Sequence, residues 1–116
     1  MSLRTPTQLS RGGTALTAAY SAVDAVGDKF VNDGRTIVAF KNTDGSPVTV
    51  TFSFGVTHDG QSVAGKTCVV AATSGNVATD VFPADYNDAE GEVNWTYSAT
   101  PAGLTVAVLR VSKVGG

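Results

Sequence analysis

Val48, Val50, Phe52 and Phe54 alternate with Thr49, Thr51 and Ser53, and no other run constrains the fold as tightly. A period of two places the four apolar side chains on one face of a strand and the hydroxyls on the other. A helix would scatter the same residues around its circumference. Val93, Trp95 and Tyr97 repeat the pattern against Asn94, Thr96 and Ser98. Two strands, each with one dry face and one wet face, require a sheet packed on one side.

Shorter apolar runs recur between turn signals. Lys29–Val31 ends at Asn32-Asp33-Gly34, a tight-turn sequence. Thr36–Lys41 is β-branched and aromatic and reads as a central strand, closed by a hairpin loop over Asn42–Pro47. Lys66–Ala72 and Val77–Phe82 read as strands separated by Ser74-Gly75-Asn76. Leu104–Val111 reads as the last strand, apolar on both faces and so covered on both. Thr14–Tyr20 fits either a strand or a helical turn. The pattern predicts an all-β chain: a single antiparallel β-sandwich, jelly-roll-like or immunoglobulin-like, of about 7–8 strands over residues 14–116. Met1–Gly13, with Pro6 and the Gly12-Gly13 pair, reads as an extended N-terminal arm.

The 116 residues suit one domain. Only 16% are charged, and Ala, Gly, Val, Thr and Ser dominate. Such a composition favours strands and turns over helices. It also leaves few charges to keep a lone copy soluble, which points to a surface that is normally covered. A net charge of −2 without a basic block argues against nucleic acid as a partner. No apolar stretch reaches membrane-span length, and the first residues lack the apolar run of a signal peptide. A reducing cytoplasm is the expected place of synthesis.

Groups suited to catalysis are sparse. His58 is the only histidine and Cys68 the only cysteine. His58-Asp59-Gly60 reads as a solvated turn, with no partner spaced for a triad, a zinc site or an acid–base pair. Cys68 lies in the apolar run Thr67–Val70 and reads as a buried structural thiol. Gly27, Gly34 and Gly45 lack the Lys-Ser/Thr of a phosphate loop. The expectation is therefore a non-enzyme with no cofactor and no small-molecule substrate.

The nearest approach to a metal site is the acidic stretch 85–92. Asp85, Asn87, Asp88 and Glu90, with Glu92, offer oxygen ligands suited to calcium, although off the EF-hand spacing. The plain alternative is a solvated turn in which Asp85 or Asn87 bonds its own backbone. Trp95 and Tyr97 share a strand face, either as core or as a sugar-stacking platform. Arg35 either pairs with Asp28 or Asp33 or reaches a partner. Arg4 and Arg11 make the arm weakly basic. Arg4, Gln8, Arg11, Asp33, Arg35 and Tyr86 are the candidate partner-binding residues.

Several strings look familiar. They are Asp28–Thr36 followed by Lys41-Asn42, Ser46–Thr51, Phe82–Asn87, and Val93–Ala99 leading to Leu104–Val111. Over roughly residues 14 to 112 the chain resembles small head decoration (cement) or minor capsid proteins of tailed phages, especially those of actinobacteria. The resemblance implies a non-enzymatic β-sandwich on the virion head surface, assembled in the host cytoplasm. It would bind the major capsid protein and copies of itself, trimers being one arrangement. Two other readings stand beside it: a carbohydrate-binding or adhesion module, and another virion part such as a tail, head-completion or fibre domain.

Overall fold

The computed structural model describes residues 1–55, 57–62 and 65–111, with only the backbone described at 57, 58 and 62. The strands among them are β1 (Ser2–Leu3), β2 (Thr7–Gln8), β3 (Ser21–Ala22), β4 (Asp28–Val31), β5 (Thr36–Asn42), β6 (Val48–Phe52), β7 (Thr57–His58), β8 (Gln61–Ser62), β9 (Lys66–Val70), β10 (Gly75–Ala78), β11 (Glu92–Tyr97) and β12 (Leu104–Arg110). The chain is all-β. One five-stranded sheet has the order β1-β4-β11-β6-β9. The second runs β10-β5-β12-β2, with β3 also on β12.

The pairing is nested. β3 pairs with β12, β4 with β11, β5 with β10 and β6 with β9, all antiparallel. Each pair lies inside the previous one in sequence, and the small β7–β8 hairpin sits at the tip. Eight strands thus trace one long hairpin, and successive pairs fall in opposite sheets.

Both sheets are mixed, where an antiparallel arrangement was expected. The departure comes from the N-terminal segment. β1 runs parallel to β4 on the edge of the first sheet, and β2 runs parallel to β12 on the edge of the second. Pro6, which has no N–H to offer a ladder, lies between them where the chain passes from one sheet to the other. Residues 2–8 of the expected arm are thus laid along the domain's own edges.

The alternating patterns define the core. Phe30, Val50, Phe52, Val93 and Trp95 of the first sheet form one buried cluster with Val38, Phe40, Leu104, Val106 and Val108 of the second. Trp95 meets Phe40 edge-on at 6.2 Å between centroids and Phe52 at 5.5 Å. Such offset ring contacts add to plain area burial. β12 is covered on both faces, as its two apolar sets require. Ala107 and Leu109 turn away from the main core and pack with Ala39, Ile37, Leu9, Ala19 and Tyr20. The segment after β2 therefore acts as a lid over the outer face of the second sheet.

Of the two forms open to it, Thr14–Tyr20 takes the turn, with the Ala19 and Tyr20 amides donating to the Leu16 carbonyl. Other strands end short of the sequence pattern. The strand expected over Val77–Phe82 ends at Ala78. There the Thr79 hydroxyl and amide take up the Val38 amide and carbonyl, and the chain then turns inward so that Phe82 fills the core edge. β6 stops at Phe52, because Phe54 leaves the ladder to stack on Tyr86 at 4.5 Å. Gly55 follows at a close approach: a Cβ there would sit 1.5 Å from the Asn87 carbonyl oxygen. Glycine alone lets the loop before β11 lie under the end of β6.

Candidate functional site

The most developed polar constellation lies where the N-terminal segment meets the core. Asp28 shares the inward face of β4 with Phe30 and is fully buried. Arg4 Nε donates to Asp28 Oδ1 at 2.7 Å, and its other nitrogens donate to Ser21 Oγ and the Ala22 carbonyl. The Tyr97 hydroxyl donates to Asp28 Oδ2 at 2.5 Å and accepts from Trp95 Nε1 at 2.8 Å. Burial, then the bond to Asp28, pushes the Tyr97 hydroxyl far above its ordinary pKa, so it stays a donor. Ser2 Oγ donates to Asp24, whose carboxyl is held below the usual range by that bond and the Val26 amide. The chain Trp95–Tyr97–Asp28–Arg4 ties the centre of the core to the N-terminal segment.

This arrangement reassigns several candidates. Arg4 is bonded within its own chain. Trp95 is completely buried and the Tyr97 hydroxyl is engaged, so the pair forms no sugar-stacking platform. Gln8 and Arg11 are exposed, with Gln8 Nε2 bonding the Leu9 carbonyl.

Asp33 and Arg35 belong to the turn after β4. Asp33 Oδ1 accepts from the Arg35 amide and the Thr36 hydroxyl. Its Oδ2 lies 2.6 Å from Arg110 Nε, a close ion contact without an aligned N–H, and 3.9 Å from Arg35. Partial burial alone would raise the Asp33 carboxyl, but these bonds and cations outweigh it and hold the group low. Arg35 thus takes Asp33 loosely, and Asp28 is taken by Arg4.

The acidic stretch divides. Asp88, Glu90 and Glu92 bring carboxylate oxygens within 4.8 Å of one another, whereas Asp85 is exposed in a short 3-10 turn (Ala84–Tyr86). Asn87 accepts from Asn32 Nδ2 at 2.7 Å. Asp88, rather than Asp85 or Asn87, bonds the backbone of its own loop: Oδ1 accepts from the Glu90 and Glu92 amides, and Oδ2 from Asn94. Desolvation opposes the charge, but these donors prevail and keep the Asp88 carboxyl below its ordinary value. Glu92 is paired with Lys29 at 3.1 Å. With Asp88 satisfied and Glu92 neutralised, the cluster works as a loop cap.

Asp24, Asp33 and Asp88 share one consequence. A carboxylate with a folded pKa below its unfolded value of about 3.9 contributes stability that is complete above that value and lost as pH falls through the folded one. The thermal midpoint should hold down to about pH 5 and decline below about pH 4. Asp88→Asn should lower the midpoint at neutral pH and shrink the acid-dependent part. A wild-type midpoint unchanged through the acid range would contradict the loop's electrostatics.

A cleft of about 330 Å³ opens between the edges of the two sheets, lined by Phe52, Cys68, Val81, Phe82, Pro83 and Tyr86 among others. Tyr86, edge-on to Phe82 at 5.2 Å, is half-buried in its wall. Cys68 is partly buried against the core, less completely than its apolar run suggested, and burial raises its thiol pKa, so it is a poor nucleophile. The His58 side chain lies outside the described residues.

Among the described residues, no segment covers the outer face of the first sheet. Thr49, Thr51, Thr67, Asn94 and Thr96 occupy it by strand register, around the Lys29–Glu92 pair. Leu3, Val31 and Val69 stand on it 56%, 51% and 61% exposed. No helix among the described residues is long and apolar enough to cross a membrane. Compared with known protein families, curated proteins and solved structures, the chain matches none of them.

Proposed function

We propose that this chain is a non-enzymatic virion protein that decorates and stabilises a tailed-phage head by binding the lattice of major capsid protein. The fold reading beneath it is a jelly-roll sandwich: eight strands in two sheets, paired in nested order from β3–β12 to β6–β9. Jelly rolls close two Greek keys over one core and serve as capsid and lectin domains. Of the two, the lectin-like use has lost its aromatic platform with the burial of Trp95.

The observation that carries the proposal is the uncovered outer face of the first sheet. It is hydroxyl-rich, its Lys29 and Glu92 are paired with each other, and it carries exposed Leu3, Val31 and Val69. Its hydroxyl- and amide-bearing centre on β11 and β6 is flanked by these apolar side chains toward both edges, with few charges to desolvate on binding. Among the described residues, the second sheet is covered by the segment after β2 and the first sheet is not.

Co-sedimentation with undecorated heads tests this. The protein should pellet with the heads in a saturable manner, and Val31→Asp with Val69→Asp should abolish pelleting while the thermal midpoint stays within a few degrees of wild type. No pelleting of the wild-type protein would overturn the reading.

A further inference from the structure

We infer that residues 2–8 form an exchangeable strap, which docks either on its own chain or on a second copy of it. This goes beyond the capsid reading and is independent of it.

The described contacts that hold the segment ahead of the Gly12–Gly13 turn lie outside the main core. They include two two-residue parallel pairings, the amide bonds of Ser2 to Gly27, of Arg4 to Lys29 and of Leu9 to Arg110, the side chains of Ser2 and Arg4, and Leu9 packed on the outer face of the second sheet. None of residues 2–8 belongs to the main core cluster, which is complete from Val23 to Val108 without them. The main core is therefore assembled from residues outside the strap.

The docking site itself cannot be left empty without penalty. Asp28 is fully buried, and Arg4 is its only ion-pair partner among the described residues. With the strap lifted, the carboxylate keeps only the Tyr97 hydroxyl and the Asp24 amide. A buried charge that loses its counter-ion is strongly unfavourable. Two arrangements avoid this: the chain's own Arg4 in place, or the Arg4 of another copy.

The hinge between these arrangements is present. The strap leaves β2 into an exposed turn, closed by the Gly13 amide on the Ser10 carbonyl. A Cβ at Gly12 or Gly13 would meet nothing within 4 Å, and Gly13 has φ +97°, so this turn is not wedged against the domain. Opened out, Ser2 to Gly13 spans about 40 Å at roughly 3.3–3.6 Å per residue. The domain measures 41 × 40 × 19 Å, so an opened strap reaches the equivalent edge of an adjacent copy. Exchange of identical contacts is a low-cost route to closed dimers or rings.

Leu3 and Lys29 are register partners across the strap, and both lie outside the core, so cysteines there report where the strap is docked. All variants carry Cys68→Ser. Leu3→Cys with Lys29→Cys in one chain should close a disulfide within that chain on mild oxidation; failure to close would mean the register is wrong, and the inference falls. Single-cysteine chains, one with Leu3→Cys and one with Lys29→Cys, are then mixed at high concentration, incubated and oxidised. The expected result is a mixed covalent dimer, well above that formed when Ser74→Cys replaces Lys29→Cys, and growing with concentration. A mixed dimer no more abundant than this surface control would overturn exchange. Native mass spectrometry of the unmodified chain gives a second readout, in which monomer alone at every concentration overturns it equally.

Discussion

Arg4→Ala is expected to destabilise the domain by about 3 kcal/mol, a loss on the scale of 10 °C or more in thermal midpoint. The reasoning starts from Asp28, which has no exposed surface and shares the inward face of β4 with Phe30. Removing the guanidinium leaves a carboxylate in the interior with only neutral donors. Arg4 retains 19% side-chain exposure, so water can partly replace it, which sets the expectation at the lower end of the range for broken buried pairs. Asp28→Asn should be milder, about 1 kcal/mol, because the amide oxygen still accepts from Tyr97 and a lone Arg4 can turn to solvent. Chemical denaturation of both variants checks the ordering. If Arg4→Ala were the milder of the two, Asp28 would not be the charge that organises this region.

Trp95→Ala should have the largest effect of any single substitution, about 4 kcal/mol. Trp95 is fully buried and in ring contact with Phe30, Phe40 and Phe52, so alanine leaves a cavity that strands of both sheets must close without moving far. Trp95→Phe separates packing from polarity. It keeps most of the ring contact and removes the Nε1 donor to Tyr97, for an expected loss of about 1–1.5 kcal/mol. An alanine variant as stable as wild type would mean that the ring is not at the centre of the core.

Much of the domain is legible along the chain because strands announce themselves locally. The alternation at Val48–Phe54 names Val48, Val50 and Phe52 as inward but carries Phe54 past the end of its strand, the one at Val93–Tyr97 names its inward residues, and the two-sided apolar pattern of Leu104–Leu109 anticipates cover on both faces of β12. What the pattern cannot carry is long-range pairing. Arg4 meets Asp28 and Tyr97 meets Asp28 across 24 and 69 residues, so neither contact leaves a periodic trace. One signal was present: Asp28 has the same parity as Phe30, which places a carboxylate in the dry layer and demands a cation. In the acidic loop, composition marks oxygen-rich residues, but only backbone geometry selects Asp88 over Asp85 and Asn87 as the cap. Val77–Phe82 reads as one strand because its residues favour extension; the bonds between Thr79 and Val38, and the burial of Phe82, end it at Ala78.

The nested pairing also sets the order in which the domain can assemble. The β6–β9 pair closes a short loop, whereas β3 meets β12 with Ala22 opposite Thr105. Loop closure grows costlier with separation, and topologies rich in distant contacts fold slowly. Zipping from the tip outward makes β12 the last main strand to arrive, although it lies beside β5 at the middle of its sheet. A chain emerging from the ribosome therefore cannot complete that sheet until Arg110 is free, so β12 is expected to be the last of the main strands to pair.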